Sequence, residues 1–268
     1  MLFKPWSDVP HPRHELDDEP ESPPLVPEVE TQLTASILPE TIVVVPKNIG
    51  VIVEMVSEKK IAGHISVSYP QLHEMVPSEE YDEDAQLYSA VNLEALQRRF
   101  KDERIPIFAL DETGNGFVVV VPHFINPIAE NKVAREIIKL GTHITSWVAL
   151  APSPLNNGTS ICKLDTNSSA DQSFEKIPQM KPPHYITGIV AGMTSCLFQK
   201  RQLGNASVLV LNAEGHSGFE KVDADSVMDA ADLVAKYLVG EQNKTSYIKQ
   251  LSARVRKINS GITSGMYL

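Results

Sequence analysis

The order of hydrophobic and polar residues predicts several β-strands in the first half of the chain. The β-branched segments 42–45 and 51–56 are typical of strands, and the apolar–polar alternation over 64–69 indicates a strand with one face buried. Residues 105–110 and 117–121 flank a short segment with two glycines, which is typical of a β-hairpin. We therefore expect antiparallel pairing in this part of the fold.

The second half alternates between helical periodicity and buried strands. Apolar residues recur three or four positions apart over 127–140, and Gly141 ends this pattern as a helix stop. The nearly continuous apolar runs 144–151 and 206–212 are typical of strands that are buried on both faces. Further elements are predicted at 160–164 (strand), 185–202 (helix), 223–239 (helix) and 245–259 (helix). This order predicts an α/β fold, a single-domain sandwich with a mixed central sheet flanked by helices.

Three polar regions interrupt this pattern. Residues 1–40 hold eight prolines and a cluster of acids, a composition that predicts a disordered N-terminal arm. Residues 70–103 and 152–183 are predicted to be loop insertions, the first with a short helix over 91–100. The resulting division is a disordered acidic, proline-rich arm at 1–40, an α/β domain at 41–259 and a flexible tail at 260–268.

Composition and charge restrict the kinds of partner. The 268 residues carry a formal net charge of −10, which disfavours nucleic acid and anionic membranes as binding partners. The two cysteines, Cys162 and Cys196, provide neither a disulfide framework nor the spacing of zinc ligands. The sequence shows no secretory signal and no apolar run of membrane-spanning length. We expect a cytoplasmic protein, with the nucleus as a second location.

The segment Gly215-His216-Ser217-Gly218-Phe219 is the strongest candidate for a catalytic motif. It follows a predicted strand and is similar to the Gly-x-Ser-x-Gly turn that presents the serine of α/β-hydrolases. However, the second glycine comes one residue early, and no histidine follows Ser217 in the chain. We interpret the segment as a structural turn that bends at Gly215 and Gly218 and in which Phe219 fills a place in the core.

Other catalytic or cofactor chemistry is not indicated. The sequence contains no phosphate-binding glycine loop, and the histidines show ligand spacing only at His11 and His14, in the arm. We expect no convergent acids and bases at the carboxyl edge of the sheet, where α/β proteins place their sites. The prediction is therefore a protein with no catalytic, cofactor or metal site and no enzymatic activity.

Both ends of the chain carry residues suited to protein docking. The chain ends on Met266-Tyr267-Leu268, where the tyrosine offers an apolar face with a polar tip. A terminal carboxylate can be captured by a lysine or by backbone N–H groups, although a frayed chain end is the alternative interpretation. Apolar residues on the polar N-terminal arm either bind a partner or fold back onto the domain. The candidate residues in the arm are Leu2, Phe3 and Trp6.

Four segments of the chain resemble, in the same order, the fungal proteasome assembly chaperone 1 family. They are the opening Met1–Pro10, the block Pro182–Ile189, the Gly215–Lys221 segment followed by an acid-capped helix, and the Met266-Tyr267-Leu268 ending. Each motif is weak by itself, but their shared order at both termini and in the core makes the resemblance specific. The match is poor over 57–103 and 152–180.

The resemblance implies one subunit of a heterodimeric chaperone whose partner shares its fold, an α/β sandwich similar to nucleoside phosphorylases without their activity. It implies that the pair sits on the outer face of the proteasome alpha ring during core-particle assembly. Met266, Tyr267 and Leu268 carry over one by one to a hydrophobic-Tyr-X tail that enters a pocket between neighbouring alpha subunits, where the carboxylate meets a lysine. In fungal members the N-terminal arm is a candidate to enter the pore of the ring.

Two other kinds of function stay open on the sequence. One is an enzyme on the same α/β scaffold, either similar to nucleoside phosphorylases or a hydrolase that would use Ser217. The other is a tail-bearing adaptor for a different ring-shaped machine, because the ending alone does not specify the ring. Binding of a nucleoside would favour the first, and co-purification without alpha subunits would favour the second.

Overall fold

One mixed β-sheet carries helices on both of its faces. The computed structural model describes residues 25–34, 39–57, 59–75, 83–110, 116–141, 146–155, 158–165, 172–199, 205–216 and 218–264. The strands are β1 (Glu28–Leu33), β2 (Thr41–Pro46), β3 (Lys60–Ser68), β4 (Glu103–Ala109), β5 (Gly116–Val121), β6 (Ser146–Ser153), β7 (Ile161–Asp165), β8 (Asn205–Glu214) and β9 (Lys221–Val222). The helices are α1 (Val51–Glu54), α2 (Pro70–Glu74), α3 (Glu83–Arg99), α4 (Pro127–Lys139), α5 (Gly188–Gln199), α6 (Ala224–Leu238) and α7 (Gly240–Ser264).

The sheet combines a parallel centre with antiparallel margins. Its strand order is β1-β3-β4-β5-β2-β6-β8-β7, and β9 pairs with β8 outside this path. The strands β5, β2, β6 and β8 are parallel neighbours, while β1, β3, β4 and β7 pair antiparallel. The predicted β4–β5 hairpin and the mixed α/β sheet are therefore confirmed.

Successive residues of β2 supply two different cores. Ile42 and Val44 pack into the core under α4 and α5, whereas Val43 and Val45 pack into the core under α1, α6 and α7. All four side chains are fully buried. This is the arrangement expected when side chains alternate along a strand that has helices on both faces. The continuous apolar run therefore marks the centre of the sheet.

The prediction of a disordered arm through residue 40 is wrong for residues 28–33, which form the edge strand β1. The strand pairs antiparallel with β3 along its whole length. Its side chains alternate in exposure, and the Thr31 hydroxyl donates a hydrogen bond to the carboxylate of Glu136 in α4, 3.2 Å away. Charged side chains are common on edge strands because they discourage pairing with other chains. Composition alone therefore suggests disorder where pairing with β3 imposes a strand.

The β-branched segment 51–56 forms the short helix α1 rather than the predicted strand. A 3-10 turn over Lys47–Ile49 ends the run of β2 and leads into the helix. Ile52 and Val53 are buried in the core that α7 also covers. The Lys59 ammonium donates hydrogen bonds at 2.8 to 3.2 Å to three carbonyl oxygens at the end of α1. Tertiary contacts thus override the strand propensity of this segment.

The two predicted loop insertions contain regular structure. Residues 70–103 include α2 and α3, so the loop prediction is wrong there, while the short helix predicted at 91–100 is confirmed as the later part of α3. The sequence of α3 lacks a strong apolar stripe, which is why it does not predict a helix of this length. In agreement, most of the side chains described in α3 are exposed. Residues 152–183 include the end of β6, all of β7 and the fully buried Phe174.

Candidate docking site

Helix α7 is anchored to the body along one face. Tyr247, Leu251 and Val255, which are four residues apart, are buried in the core formed with α1 and α6. The Tyr247 hydroxyl donates a hydrogen bond to the backbone carbonyl of Ile52 at 2.9 Å, and burial raises the pKa of this phenol. The helix predicted at 245–259 is confirmed and is longer at both ends.

Beyond Val255 the helix continues past its last described buried side chain. Arg256, Lys257 and Ile258 are all exposed. The helical backbone nevertheless runs through 260–264, so the prediction of a flexible tail is wrong for these five residues. The segment that leads to the end of the chain is a helix, which gives the tail a fixed direction of departure.

The root of the tail is positively charged. Among the described residues of α7 the only acid is Glu241, in the first turn. Arg254 forms an ion pair with Glu54 of α1 at 3.6 Å, in an exposed position where such pairs contribute little to stability. The exposed cations of the helix are Lys249, Arg254, Arg256 and Lys257. This surface favours an acidic partner.

The predicted docking residues themselves lie outside the described part of the chain. They are Met266, Tyr267 and Leu268 in the tail and Leu2, Phe3 and Trp6 in the arm, and their roles stay predictions. The structure does describe residues 25–27, which follow the arm. The Asn126 side chain donates a hydrogen bond to the carbonyl of Leu25 and the Lys132 ammonium donates one to the carbonyl of Pro27, both at 2.7 Å. Residues 25–27, where the description of the chain begins, are therefore held beside α4.

The segment that is similar to a serine turn forms a closed loop between β8 and β9. Gly215 (φ 116°) and Gly218 (φ 86°) both adopt positive φ, so the predicted bends at these glycines are confirmed. A Cβ atom at Gly218 would lie 2.2 Å from the ring of His123. The Glu220 carboxylate accepts hydrogen bonds from the Gly218 amide at 2.9 Å and from the Asn48 side chain at 3.1 Å. These contacts hold the loop against the body.

Phe219 does not fill a place in the core, contrary to the interpretation from sequence. Its side chain is 78% exposed, and its ring meets the ring of His123 edge-on with 5.7 Å between centroids. The loop turns Phe219 outward because the residues on either side of it, Gly218 and Glu220, are held inward. Ser217 lies outside the described residues.

A cavity of about 310 Å³ opens at the carboxyl ends of β2, β5 and β6. Its lining includes Lys47, Glu103, His123, Glu130 and Glu220, so the expectation that no acids and bases converge at this edge is wrong. Lys47 directly follows β2 and His123 lies two residues after β5, positions at which sequence could have suggested them. The others arrive from β4, α4 and the β8–β9 loop, and only the topology brings them together.

The chemistry of this cavity is dominated by carboxylates. Burial raises the pKa of the Glu130 carboxyl. The lining contains no serine or cysteine among the described residues, so it presents no Ser–His or Cys–His pair. Over the part of the chain that is described, no group of histidine, cysteine or acidic residues could hold a metal ion. No described helix is both long and apolar enough to cross a membrane.

The whole chain matches one protein family. The family model for the POC1 chaperone matches residues 1–268. The curated protein called proteasome chaperone 1, from Saccharomyces cerevisiae, is 25% identical over 295 residues, and the alignment covers 100% of this chain and 100% of the yeast protein.

Two solved structures from Pyrococcus furiosus share the fold. PbaA, described as an archaeal homolog of proteasome-assembly chaperone, has a TM-score of 0.52 at 13% identity, with 90% of this chain and 99% of PbaA covered. PbaB, described as an archaeal proteasome activator, has a TM-score of 0.55 at 10% identity, with 89% and 99% covered. At these identities the likeness concerns the α/β fold with its mixed sheet.

Proposed function

The chain belongs to the POC1 chaperone family, and on that premise we propose that it is a non-enzymatic chaperone for assembly of the proteasome core particle. The observation that carries the proposal is the C-terminal helix: α7 is fixed to the body, keeps its helical backbone to Ser264 and leads into a hydrophobic-Tyr-X ending. The name of the yeast relative and the fold shared with PbaA support the same function.

The proposed chemistry is capture of one tyrosine and one carboxylate by a pocket between neighbouring alpha subunits. Tyr267 supplies the aromatic face, Met266 the apolar contact and Leu268 the terminal carboxylate, which a lysine in the pocket would bind. The exposed cations at the root of the tail would favour an acidic rim around such a pocket.

One tail alone should bind weakly. Burying one tyrosine and one methionine yields roughly 5–7 kcal/mol. Ordering about five residues costs roughly 5–8 kcal/mol, and the charge-assisted carboxylate contact returns about 2–3 kcal/mol. Weak single contacts suit a factor that must leave when assembly ends.

A second contact would raise the effective concentration of each tail at the ring. We propose that it comes from a heterodimer with a second assembly chaperone of similar fold, placed on the outer face of the alpha ring in the cytoplasm or nucleus. The N-terminal arm, with Leu2, Phe3 and Trp6, is the proposed contact to the pore of the ring. The body between the two ends then acts as a rigid spacer.

The direct test is truncation of the tyrosine. Tyr267→Ala should weaken binding to purified alpha rings roughly 10- to 100-fold, since the lost burial of roughly 2–3 kcal/mol corresponds to about one to two decades in affinity. Binding is measured by surface plasmon resonance on immobilised rings, with the partner chaperone present. The thermal midpoint of unfolding should not change.

The matched control is Ile258→Ala, an exposed apolar truncation in α7 that precedes the tail. It should leave ring binding within about twofold of the unmodified chain, because the side chain is 41% exposed and contributes little packing. Equal affinities for Tyr267→Ala and the unmodified chain would refute tail docking.

We further propose that the sandwich is related to that of nucleoside phosphorylases and lacks their activity. Isothermal titration with inosine and adenosine should give no heat of binding. A saturable heat that disappears in Glu130→Gln would instead favour the enzyme alternative, since Glu130 lies in the cavity at the carboxyl edge of the sheet.

A further inference from the structure

Two separate motifs of the sequence meet at one cavity. The Pro182–Ile189 block contributes Thr187, Gly188 and Ile189 to its lining, and the Gly215–Lys221 segment contributes Gly218 and Glu220. The remaining walls come from the carboxyl ends of β2, β5 and β6 and from the starts of β4 and α4. Neither motif has a role in the docking of the tail, which leaves from α7.

Three residues that adjoin the cavity lining in sequence carry exposed apolar side chains. Ile125 is 51% exposed, Tyr185 66% and Phe219 78%. Each stands beside residues of the lining: Ile125 follows Phe124, Tyr185 comes two residues before Thr187, and Phe219 lies between Gly218 and Glu220. We call these three side chains the collar.

The body holds the backbone at two of the three collar residues, Tyr185 and Phe219. The backbone carbonyl of Tyr185 accepts a hydrogen bond from the Ser153 hydroxyl at 2.7 Å. Phe219 belongs to the β8–β9 loop, which the Gly218 amide holds through its hydrogen bond to Glu220. The His123 ring lies so close to Gly218 that a Cβ atom there would clash with it. Exposed apolar groups on an anchored backbone are typical of a binding surface, because little backbone freedom remains to be lost on binding.

The interior of the cavity is acidic. Its lining holds three glutamates, Glu103, Glu130 and Glu220, against one lysine, Lys47. Glu220 already accepts two hydrogen bonds within the loop. The side chains of Glu103 and Glu130 receive no hydrogen bond or ion pair from the described residues.

The Glu130 carboxylate lies over the start of α5. One of its oxygens would be 3.5 Å from a Cβ atom placed at Gly188. Desolvation raises the pKa of this carboxyl, as expected for a partly buried charge that no cation compensates. A ligand that brings a positive charge would supply the missing partner.

We propose that the cavity is a socket for one basic side chain, an arginine or a lysine, presented by a partner protein. Such a side chain has a long apolar stem and a charged head, which match the collar outside and the carboxylates inside. The phenyl ring of Phe219 and the phenol ring of Tyr185 also offer faces to a cation. The volume of about 310 Å³ is at the lower end of ligand sites, and it suits one side chain better than a folded segment. The socket does not depend on the tail, so either proposal can fail without the other.

The test uses the full chain and a short peptide as the probe. Ac-Gly-Arg-Gly-NH₂ is titrated into protein with labelled Ile, Leu and Val methyl groups, and NMR shifts are followed at Ile189 and Val190, which line the cavity. We expect saturable shifts at these methyl groups. The citrulline peptide, which has the same shape without the charge, should bind about tenfold more weakly.

Two variants with matched controls locate the binding. Glu130→Gln should weaken the arginine peptide about tenfold, whereas Glu175→Gln, which removes an exposed acid elsewhere, should leave its affinity unchanged. Phe219→Ser should weaken it about threefold, and Phe198→Ser, an exposed phenylalanine near the end of α5, should not. The methyl spectrum of each free variant confirms that it is folded.

Several results would overturn the proposal. They are equal affinity for arginine and citrulline peptides, shifts confined to residues away from the cavity, and tighter binding of Ac-Gly-Glu-Gly-NH₂ at Ile189 and Val190. Unchanged affinity in a folded Glu130→Gln variant would also overturn it. Loss of ring binding in Tyr267→Ala together with normal peptide binding would separate the socket from the tail.

Discussion

The C-terminal helix and the socket are built in opposite ways. Helix α7 is one continuous segment whose anchor residues repeat every four positions, and the proposed docking residues Met266 to Leu268 follow close after it in the chain. The socket is assembled from segments that lie far apart in the sequence, and its acids come from β4, α4 and the β8–β9 loop. A continuous site can be recognised in the order of residues, whereas an assembled site becomes visible only when the strand order is known.

The two regions also differ in what holds them. Helix α7 depends on apolar burial along one face, so its attachment should respond to the size of its buried side chains. The loop of the socket depends on a close approach between Gly218 and the His123 ring and on hydrogen bonds to Glu220. The loop should therefore be destabilised by a side chain added at Gly218 and by loss of the hydrogen bonds to Glu220.

The largest effect is expected from shortening the central anchor of α7. Leu251 is fully buried, and Leu251→Ala should lower the free energy of unfolding by about 3 kcal/mol, within the range known for such truncations. Urea denaturation followed by circular dichroism measures it. Ile258→Ala in the same helix serves as the control and should cost less than about 0.5 kcal/mol. Similar losses in both variants would mean that α7 is not anchored through this face.

A smaller effect is expected from filling the space at Gly218. Gly218→Ala combines a positive φ with a Cβ atom 2.2 Å from the His123 ring, and it should cost about 2–3 kcal/mol. Gly158→Ala is the matched control, because Gly158 also has positive φ (73°) but has nothing within 4 Å of the added atom. The control should cost about 1 kcal/mol. Equal costs would show that the contact with His123 does not constrain the loop.

The smallest effect is expected from a hydrogen bond that joins α7 to α1, donated by Tyr247. Tyr247→Phe should lower the free energy of unfolding by about 1 kcal/mol near neutral pH, since the Ile52 carbonyl loses its donor.

The pH dependence of this variant has a definite sign. Burial raises the pKa of Tyr247 above its ordinary value of 10.0, so above about pH 10 the unfolded chain loses the phenol proton while the folded chain keeps it. Folding stability of the unmodified chain should therefore fall with rising pH in that range, and Tyr247→Phe should lack this part of the fall. Denaturation at pH 8 and pH 11 tests it, and a constant difference between the two proteins would contradict the assignment.

Sequence predicts the centre of this fold well because the signals there are strong and local. The apolar run of β2, the hairpin of β4 and β5, and the periodic stripe of α4 each have a pattern that belongs to one type of element. The segment Val51–Glu54 is as rich in β-branched residues as β2 but forms a helix. The difference lies in the Lys59 ammonium and in the core under α7, which are tertiary contacts.

The socket escapes sequence analysis for a different reason. Lys47 and His123 lie within two residues of the ends of parallel strands, which the sequence can indicate. Glu103 begins a strand that becomes a neighbour only through antiparallel pairing. Phe219 shows the same limit: an aromatic residue after two glycines suits a core plug as well as an exposed contact. Only the hydrogen bonds of Glu220 and the position of His123 decide between these outcomes.

Between Val255 and Ser264 the backbone is helical, so the direction in which the chain leaves the helix depends on the rotation accumulated about the helix axis. Each residue of an α-helix turns the chain by about 100° and advances it by about 1.5 Å, so these nine steps carry the chain about 13 Å beyond the last described anchor at a set angle. Inserting one residue would swing the tail to another side of the axis with little change in reach. For the proposed docking, the number of residues between Val255 and Tyr267 therefore sets the side of the helix axis from which the tyrosine reaches its pocket.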